Sequence, residues 1–294
     1  MRFFASLLVD GALAGAIYAL IALGFVVVYS ASRTINFALG EWVMLGSRMV
    51  SAGIFGLGLG LFGAFAAAVA GMVAFAIAFS RVILRRLVGG PVISLIMVTL
   101  GLGALIRGAA PLVFRSIPNA VPLPIPAAPL VVDGVVISAE KLAAAAVASV
   151  AILAVAWFFQ RSRTGVALRA VAADPQVALA AGIDVQRHFA IAWGLLGVLS
   201  VVGGALWTFA SGGGFGMALV GFKVFPIVII GGLDSIPGTI VGAILIGVLE
   251  SLAAGYLDPV VGGGFSSIAS YLVLIAMLFV RPRGLFGREG VERV

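Results

Sequence analysis

The chain has 294 residues, of which 63% are hydrophobic and only 10% are charged, too little charge to cover a soluble domain of this length. Its net charge of +7 lies in short basic clusters beside apolar runs, a pattern that argues against nucleic-acid binding. The chain has no cysteine, which excludes disulfide bonds, thiol catalysis and thiolate metal sites.

Apolar runs of membrane length recur along the chain and predict an all-α, polytopic membrane helical bundle, folded as a single domain over residues 1–294. The first run, from Phe3 to Tyr29, is too long for the core of a signal peptide, so we expect a retained first helix. The proline-rich segment from Pro118 to Pro129 is predicted to be an ordered external loop or lid. The predicted spans cover about residues 5–29, 36–54, 60–80, 91–114, 141–159, 189–210 and 265–280.

Arginine placement predicts the orientation of these spans, because short cytoplasmic loops of membrane proteins are enriched in Lys and Arg. The proline-rich loop has only Arg115 and Lys141 at its borders, so it is assigned to the outside. Counting spans from there places the N-terminus in the periplasm and the C-terminus in the cytoplasm. The arginines assigned to the cytoplasmic side are Arg81, Arg85, Arg86, Arg161, Arg163, Arg169, Arg281, Arg283 and Arg288.

Residues 221–254 must then start and finish on the outside. Their first limb, residues 222–230, is under half a span at ~1.5 Å per residue against a ~30 Å core. It breaks at the glycine-rich turn from Gly231 to Gly238. We therefore predict a discontinuous, re-entrant-like helix pair whose turn lies at membrane depth, where irregular backbone is tolerated only if buried in protein or lining a wet cavity. The alternative is two ordinary crossings, one of them short and tilted.

Polar residues within the spans are candidates for a translocation path, because the bilayer tolerates them only at a cost. For Glu41, a pairing role is favoured over substrate contact. Arg48 and Arg107 have a competing interpretation, in which they reach the external headgroups. Asp234 and Ser235 begin a half-helix, whose N-terminus could face an anionic group or be satisfied by the aspartate itself. The candidate path residues are Asn36, Glu41, Arg48, Arg107, Asp234 and Ser235.

Residues 161–190 form the longest polar stretch of the chain and predict two short helices. The first opens at Thr164–Gly165. The second opens at Asp174–Pro175, an acidic N-cap followed by proline at the first helical position. Gly182 is placed to end it in a left-handed conformation. The stretch is either a solvated connector or a docking element for a partner protein.

The sequence shows no catalytic or metal-binding set. His188, the only histidine, lies in the predicted cytoplasmic loop, and both lysines lie at external borders, so a buried serine would lack a base. No GxxxxGK[ST] phosphate loop occurs, so we predict that the chain is not an enzyme by itself and binds no cofactor of its own. Glu250 and Asp258 are expected near the outer surface, in contact with solvent.

A series of motifs occurs in a fixed order along nearly the whole chain. They are Gly11 to Gly24, Ile35 to Glu41, Arg163 to Ala170 with Ala181 to Ile183, Phe222 to Phe225, Gly231 to Gly238, Gly247 to Ser251 and Arg281 to Gly287. In these motifs the chain resembles the permease subunit of branched-chain amino acid ABC importers, of the LivH type.

The resemblance implies that residues 161–190 couple the permease to a cytoplasmic ATPase. The coupling residues would be Arg163, Gly165, Arg169, Asp174, Pro175, Ala180, Ala181 and Gly182. It also implies a bacterial inner-membrane location, a second homologous permease, two ATP-binding subunits and a periplasmic substrate-binding protein. The implied function is translocation of branched-chain, hydrophobic amino acids. A permease for urea, an amide, a carboxylate or a sugar is the alternative, and a secondary transporter or channel is a more distant one.

Overall fold

A computed structural model describes residues 1–87, 91–125, 128–281 and 284–286. Within them, six helical segments are long and apolar enough to cross a membrane, judged by length and composition. They are Arg2–Ser32, Leu61–Leu87, Ile93–Val113, Ala139–Arg161, Val185–Ser211 and Ile236–Tyr256. Two shorter apolar segments, Phe215–Gly231 and Phe265–Val280, accompany them. The predicted all-α polytopic bundle is confirmed.

The helices are α1 (Arg2–Ser32), α2 (Leu39–Ser51), α3 (Leu61–Phe79), α4 (Arg85–Leu87), α5 (Val92–Val113), α6 (Ala139–Arg161), α7 (Arg163–Ala173), α8 (Pro175–Ala180), α9 (Val185–Ser211), α10 (Val220–Gly231), α11 (Ile236–Tyr256), α12 (Asp258–Val261) and α13 (Phe265–Val280). Single π-helical turns, Ala52–Gly56 and Ser80–Leu84, extend α2 and α3. A 3-10 helix, Phe215–Leu219, precedes α10.

Helix α1 lies at the centre of the bundle and is buried continuously from Ile17 to Val28. It packs antiparallel to α11 through glycines that leave no room for a side chain. A Cβ on Gly11 would lie 2.6 Å from Val248 Cα, and one on Gly15 would lie 2.8 Å from Ala243 O. Such small residues let helix backbones approach closely, as the Gly11–Gly15 spacing predicts.

Helix α9 is the second central element, and it packs against α2 and α3 in the same way. A Cβ on Gly46 would lie 2.7 Å from Ser200 O, and one on Gly197 would lie 2.9 Å from Met72 O. The indole of Trp42 packs on that of Trp193 at a centroid distance of 5.7 Å. Backbone-to-backbone packing of this kind holds the core without a water-driven hydrophobic effect.

The strands β1 (Leu130–Val132) and β2 (Val135–Ile137) form an antiparallel hairpin that marks one end of the bundle, here called the hairpin end. The start of α1 lies there, because Ser6 Oγ accepts the N–H of Val136 at 3.2 Å. The last residue before the turn out of α1, Arg33, lies instead against α7. We call that opposite end the α7 end. The hairpin directly follows the predicted proline-rich loop, and the sequence analysis did not predict it.

The chain from Phe215 to Tyr256 runs from the hairpin end to the α7 end and back. Tyr256 stacks edge-on against Phe3 at 5.5 Å, whereas Asp234, in the turn between α10 and α11, pairs with Arg33 at 3.7 Å. The helix pair and its break are as predicted, but the predicted depth of the turn is wrong. The 3-10 helix lengthens the short limb, so that both limbs run between the hairpin end and the α7 end, which agrees with the alternative interpretation.

Some predictions concern positions outside the described residues. Pro126 and Ala127 of the proline-rich segment are among them, as are Arg283 and Arg288, used for orientation, and Pro282 and Gly287 of the last motif. The described segment 284–286 lies against α10, where Leu285 N–H donates to Ile230 O at 2.7 Å. The end of the last motif therefore caps the carbonyl end of α10.

Candidate functional site

Helices α7 and α8 follow each other directly and are together called the corner. The residues that cap these helices can be recognised in the sequence. Ser162 Oγ accepts the N–H of Gly165 at 2.8 Å, so α7 begins at Arg163, slightly before the predicted Thr164–Gly165. Asp174 Oδ1 accepts the N–H groups of Gln176 and Val177 at 2.8 and 3.1 Å. Pro175 occupies the first turn of α8, as predicted.

The end of α8 is fixed by Gly182, which has a φ of +82° in the left-handed region. Its conformation lets the N–H of Ile183 donate to Ala178 O at 3.0 Å, which satisfies a carbonyl at the helix end. Beneath α8, a small apolar cluster that is separate from the main core joins α7, α8 and α9. Its members are Val171, Ala178, Val185 and Phe189, with Ile183 packed beside them.

The outer face of this corner is unusually apolar for an exposed surface. Val177 is 64% exposed and Leu179 is 65% exposed, and Ala180 and Ala181 are exposed beside them. The predicted arginines Arg163 and Arg169 are exposed on α7. All eight predicted coupling residues therefore lie in one corner, with apolar side chains on α8 and positive charge on α7.

The corner is packed rigidly on the membrane helices. A Cβ on Gly165 would lie 2.7 Å from Phe159 Cα, so α7 touches the backbone of α6. Leu168 and Val171 on the inner side of α7 are fully buried. A displacement of the corner must therefore move α6 and its neighbours rather than bend a flexible linker.

Arg33 connects the corner with the α10–α11 turn, a role that the sequence analysis missed. Its Nε donates to Ala172 O of α7 at 3.2 Å, and its Nη1 lies 3.7 Å from Asp234 Oδ2. Its guanidinium also covers the ring of Tyr29 at 5.5 Å. The residue adopts a φ of +51°, which ends α1 and turns the side chain toward α7.

The structure places Asp234 and Ser235 at the α7 end instead of at mid-depth. The N-terminus of α11 is capped by Ser235, whose Oγ accepts the N–H of Gly238 at 3.1 Å. Asp234 is directed to Arg33, and its side chain is 24% exposed. These two residues therefore belong with the corner and Arg33, because the packing of α1 against α11 sets the height of the turn.

Asn36 lies in the buried connection between α1 and α2. Its Oδ1 accepts the N–H of Ala38 at 3.0 Å, which stabilises the entry into α2, while its Nδ2 has no hydrogen-bond partner among the described residues. Thr99 of α5 holds the same connection, since its Oγ1 accepts the N–H of Phe37 at 3.3 Å. Asn36 is fully buried, so the free amide is directed into the protein.

Glu41 forms an ion pair with Arg107, which agrees with the predicted pairing role of the glutamate. The pair joins α2 to the middle of α5, where a Cβ on Gly103 would lie 3.3 Å from the Glu41 carboxyl carbon. The two partners differ in exposure. Only 3% of the Glu41 side chain is exposed, whereas 52% of the Arg107 side chain is. Arg107 thus places a half-exposed charge on the outside of the described bundle.

Arg48 is buried in the protein, so the interpretation that it reaches the headgroups is wrong. Only 2% of Arg48 is exposed. Its guanidinium donates to the carbonyls of Phe114 and Ile117 at 2.8 Å and of Pro118 at 3.1 Å. It also donates to Asn119 Oδ1. Arg48 therefore fixes the loop after α5 at the hairpin end, and carbonyl oxygens replace the water that a guanidinium requires.

A buried polar cluster joins α1, α10 and α11. Tyr18 OH donates to Glu250 Oε2 at 2.8 Å, and Lys223 Nζ lies 2.9 Å from the same oxygen. The expectation that Glu250 contacts solvent is wrong, because only 10% of its side chain is exposed. Lys223, expected at an external border, lies near the start of α10 with 27% of its side chain exposed. The Tyr18 ring is stacked on Trp207 at 5.2 Å, which closes the cluster from one side.

Asp258 caps the step from α12 to α13 at the hairpin end and is only half-buried. The N–H and hydroxyl of Ser266 donate to its carboxylate at 2.9 and 2.8 Å, and these hydrogen bonds lower the pKa of Asp258. The described residues hold no group of three or more His, Asp or Glu side chains arranged to bind a metal.

Residues 7–281 match the family described as "Branched-chain amino acid transport system / permease component". The high-affinity branched-chain amino acid transport system permease protein BraD of Pseudomonas aeruginosa is 32% identical, over 98% of this chain and 97% of that protein. The corresponding protein LivH of Salmonella typhimurium is 29% identical, over 99% and 98%. A solved structure, PsaBC from Streptococcus pneumoniae in complex with Fab, has a TM-score of 0.49 and 17% identity, over 96% of this chain and 93% of that one.

Proposed function

Because this chain belongs to the permease component family of branched-chain amino acid transport systems, we propose that it forms the membrane pathway of an importer for leucine, isoleucine and valine. It is a multi-pass membrane protein and a transport permease. In the proposal, partner ATPases bind and hydrolyse ATP, and a periplasmic binding protein delivers the amino acid. The hairpin end faces the periplasm and the α7 end faces the cytoplasm of a bacterial inner membrane. The alternative functions have no comparable support.

The observation that carries the proposal is the exposed half of the Glu41–Arg107 pair. Arg107 reaches Glu41 at the level of Gly103, near the middle of α5, and more than half of its side chain is uncovered. A charge at the centre of a bilayer costs about 2.5–3.5 kcal/mol even on insertion scales. Arg107 must therefore be covered by protein or by a wet cavity.

A second permease and a path between the two subunits would supply that cover. The surface of α5 around Arg107 carries Gly101 and Gly108, and neither has an atom within 4 Å of the place where a Cβ would stand. No side chain projects from α5 at these two positions, so another helix or a small solute can approach its backbone closely. An amino acid in transit carries both charges of a zwitterion, which an arginine and a glutamate complement.

Asn36 extends the same proposed path toward the α7 end. Its free Nδ2 lies in the connection that Thr99 of α5 holds, below the level of Gly103 on the same helix. A buried amide donor without a partner is costly unless a water or a ligand satisfies it in another state. Asn36, Glu41 and Arg107 are therefore the path residues of this proposal, and Arg48 is a structural residue at its periplasmic end.

Coupling to ATP hydrolysis is proposed to run through the corner of α7 and α8. The apolar surface of Val177 and Leu179 enters a cleft of the ATPase, while Arg163 and Arg169 contact its rim. Closure of the ATPases then pushes a rigid corner, because α7 is packed on α6 without a gap. Arg33 passes the motion to the α10–α11 turn through Ala172 and Asp234.

The test is leucine uptake by proteoliposomes that contain the complete transporter, with ATP inside and binding protein outside. Arg107→Gln and Glu41→Gln should each lower uptake at least tenfold while the complex still assembles, because each leaves its partner's charge unpaired. Lys141→Gln is the matched control, since it breaks the Asp10–Lys141 pair at the hairpin end, far from the path. Uptake at the control level in both path variants would refute this assignment.

A further inference from the structure

A groove of about 680 Å³ opens between α3 and α9 at the α7 end. The two helices touch at Gly197, where a Cβ would lie 2.9 Å from Met72 O, and they diverge from there toward the α7 end. At Gly194 a Cβ would meet only Val73 Cγ1 at 3.9 Å. The groove is therefore a wedge, closed in the interior of the bundle and open toward the surface.

The lining of the groove changes in character along its length. The deep part is apolar and contains Val73, Ile77, Ile191, Leu195 and Val198. Along α9 the apolar wall from Ile191 to Val198 is about 10 Å long at ~1.5 Å per residue, roughly two thirds of one leaflet of a ~30 Å hydrocarbon core. The deep part thus has the polarity of an acyl chain and the length to hold most of its depth in one leaflet.

The mouth of the groove is basic. Arg81, Arg85 and Arg187 line it, and all three residues are exposed. None of the ion pairs found among the described residues involves them. The one carboxylate at the mouth, Asp184, accepts the backbone N–H of Arg187 at 3.0 Å as the cap of α9. The mouth therefore keeps a net positive charge.

We propose that this groove binds an anionic phospholipid, with the phosphate at the three arginines and an acyl chain in the apolar part. Basic pockets between helices at the cytoplasmic face of a membrane are suited to such headgroups. The π-helical turn Ser80–Leu84 lies at the mouth and widens the helix there, which sets Arg81 and Arg85 on the groove side. The inference requires that the bundle spans a membrane and is independent of the transported solute.

A lipid fits this surface better than a protein partner does. Val82 is 59% exposed and Ile83 is 36% exposed in the same turn as Arg81, so apolar side chains lie at the height of the arginines. That mixture is typical of the membrane interface, where arginine side chains reach the headgroups from an apolar helix. The corner proposed for the ATPase has its exposed apolar residues on α8 instead.

The experiment is native mass spectrometry of the purified full-length protein, titrated with phosphatidylglycerol or phosphatidylcholine. Phosphatidylglycerol should bind more tightly, and the triple variant Arg81→Gln, Arg85→Gln, Arg187→Gln should weaken it on the order of 100-fold, at about fivefold per arginine. Arg86→Gln is the matched control, because Arg86 lies in the same region but does not line the groove. Its affinity should equal that of the wild type.

Two further measurements separate a lipid from other occupants. Gly194→Leu fills the apolar part without changing charge and should also weaken binding, whereas soluble glycerol 3-phosphate should not compete at the concentrations where the lipid binds. Equal binding of the two lipids, unchanged binding in the triple variant, or full competition by glycerol 3-phosphate would each overturn the proposal. So would a triple variant that keeps its lipid but no longer co-purifies with the ATPase subunits when it is produced as part of the complete transporter, because the groove would then be a protein docking surface.

Discussion

Replacement of Gly182 tests the corner through its backbone alone. The residue has a φ of +82°, and no atom lies within 4 Å of the place where its Cβ would stand. A side chain there meets no steric conflict, so the only effect of a substitution is the cost of the left-handed conformation. Asn tolerates this region, Ala does so at a cost, and a β-branched residue is disfavoured most.

The size of the effect follows from that cost. A left-handed residue other than Gly or Asn costs roughly 1–2 kcal/mol, which shifts an equilibrium about 5- to 30-fold. The corner has little to offset it, because its apolar cluster is small and α8 is only six residues long. Gly182→Val should therefore reduce the population of the docked corner more than Gly182→Ala, and Gly182→Asn should stay near the wild type.

The assay is substrate-stimulated ATPase activity and leucine uptake in the reconstituted transporter, with co-purification of the ATPase subunits as a second readout. ATPase activity, leucine uptake and co-purification should each be highest in Gly182→Asn, lower in Gly182→Ala and lowest in Gly182→Val. The amount of protein in the membrane should stay constant. Equal activity of the Asn and Val variants would contradict the reasoning, because backbone strain at the end of α8 would then have no effect on coupling.

Three other changes test separate parts of the structure. Arg33→Gln removes the contacts of Arg33 with α7 and with the α10–α11 turn, so leucine transported per ATP hydrolysed should fall by up to about fivefold; an unchanged ratio would exclude this connection. An impermeant maleimide should label Asp133→Cys from the periplasm and Ala172→Cys from the cytoplasm only, and reversed labelling would invert the orientation. Gly15→Val forces α1 and α11 apart and should abolish the monodisperse peak in size-exclusion chromatography, whereas Gly60→Ala, in open space, should retain it.

The parts that the sequence predicted correctly rest on local signals. The cap at Asp174, the proline that follows it and the glycine at 182 act within one turn of helix, so their consequences do not depend on the rest of the fold. The hairpin has an equally local signal. Asp133 and Gly134 both have positive φ, and an Asp-Gly pair between valines is a strong indication of such a turn. It could have been read from the sequence.

The height of the α10–α11 turn could not have been read in this way. It is fixed by the packing of α1 against α11 and by the contact of Arg33 with Asp234, residues far apart in the sequence. The length of residues 222–230 indicated a re-entrant limb only because the preceding 3-10 helix was not recognised as part of the crossing.

The polar clusters are a similar case. Lys223 and Glu250 each lie near the end of an apolar run, where exposure to solvent is the simpler expectation. The burial of Glu250 and the partial burial of Lys223 follow from the position of Tyr18 on the central helix, which brings a hydroxyl between α10 and α11. The rule that a buried charge requires a partner predicts that such a cluster exists once burial is known, but it does not identify the partners.

The most direct test of the proposed function is cross-linking from the two ends of the bundle in the assembled transporter. Val177 on α8 and Val131 on β1 are matched in residue type and in exposure, at 64% and 65%. With a short bifunctional reagent, Val177→Cys should cross-link to the ATPase subunit, and the yield should change when ATP is bound. Val131→Cys should cross-link to the binding protein or to nothing. Cross-links from Val131→Cys to the ATPase, with none from Val177→Cys, would contradict both the orientation and the coupling corner.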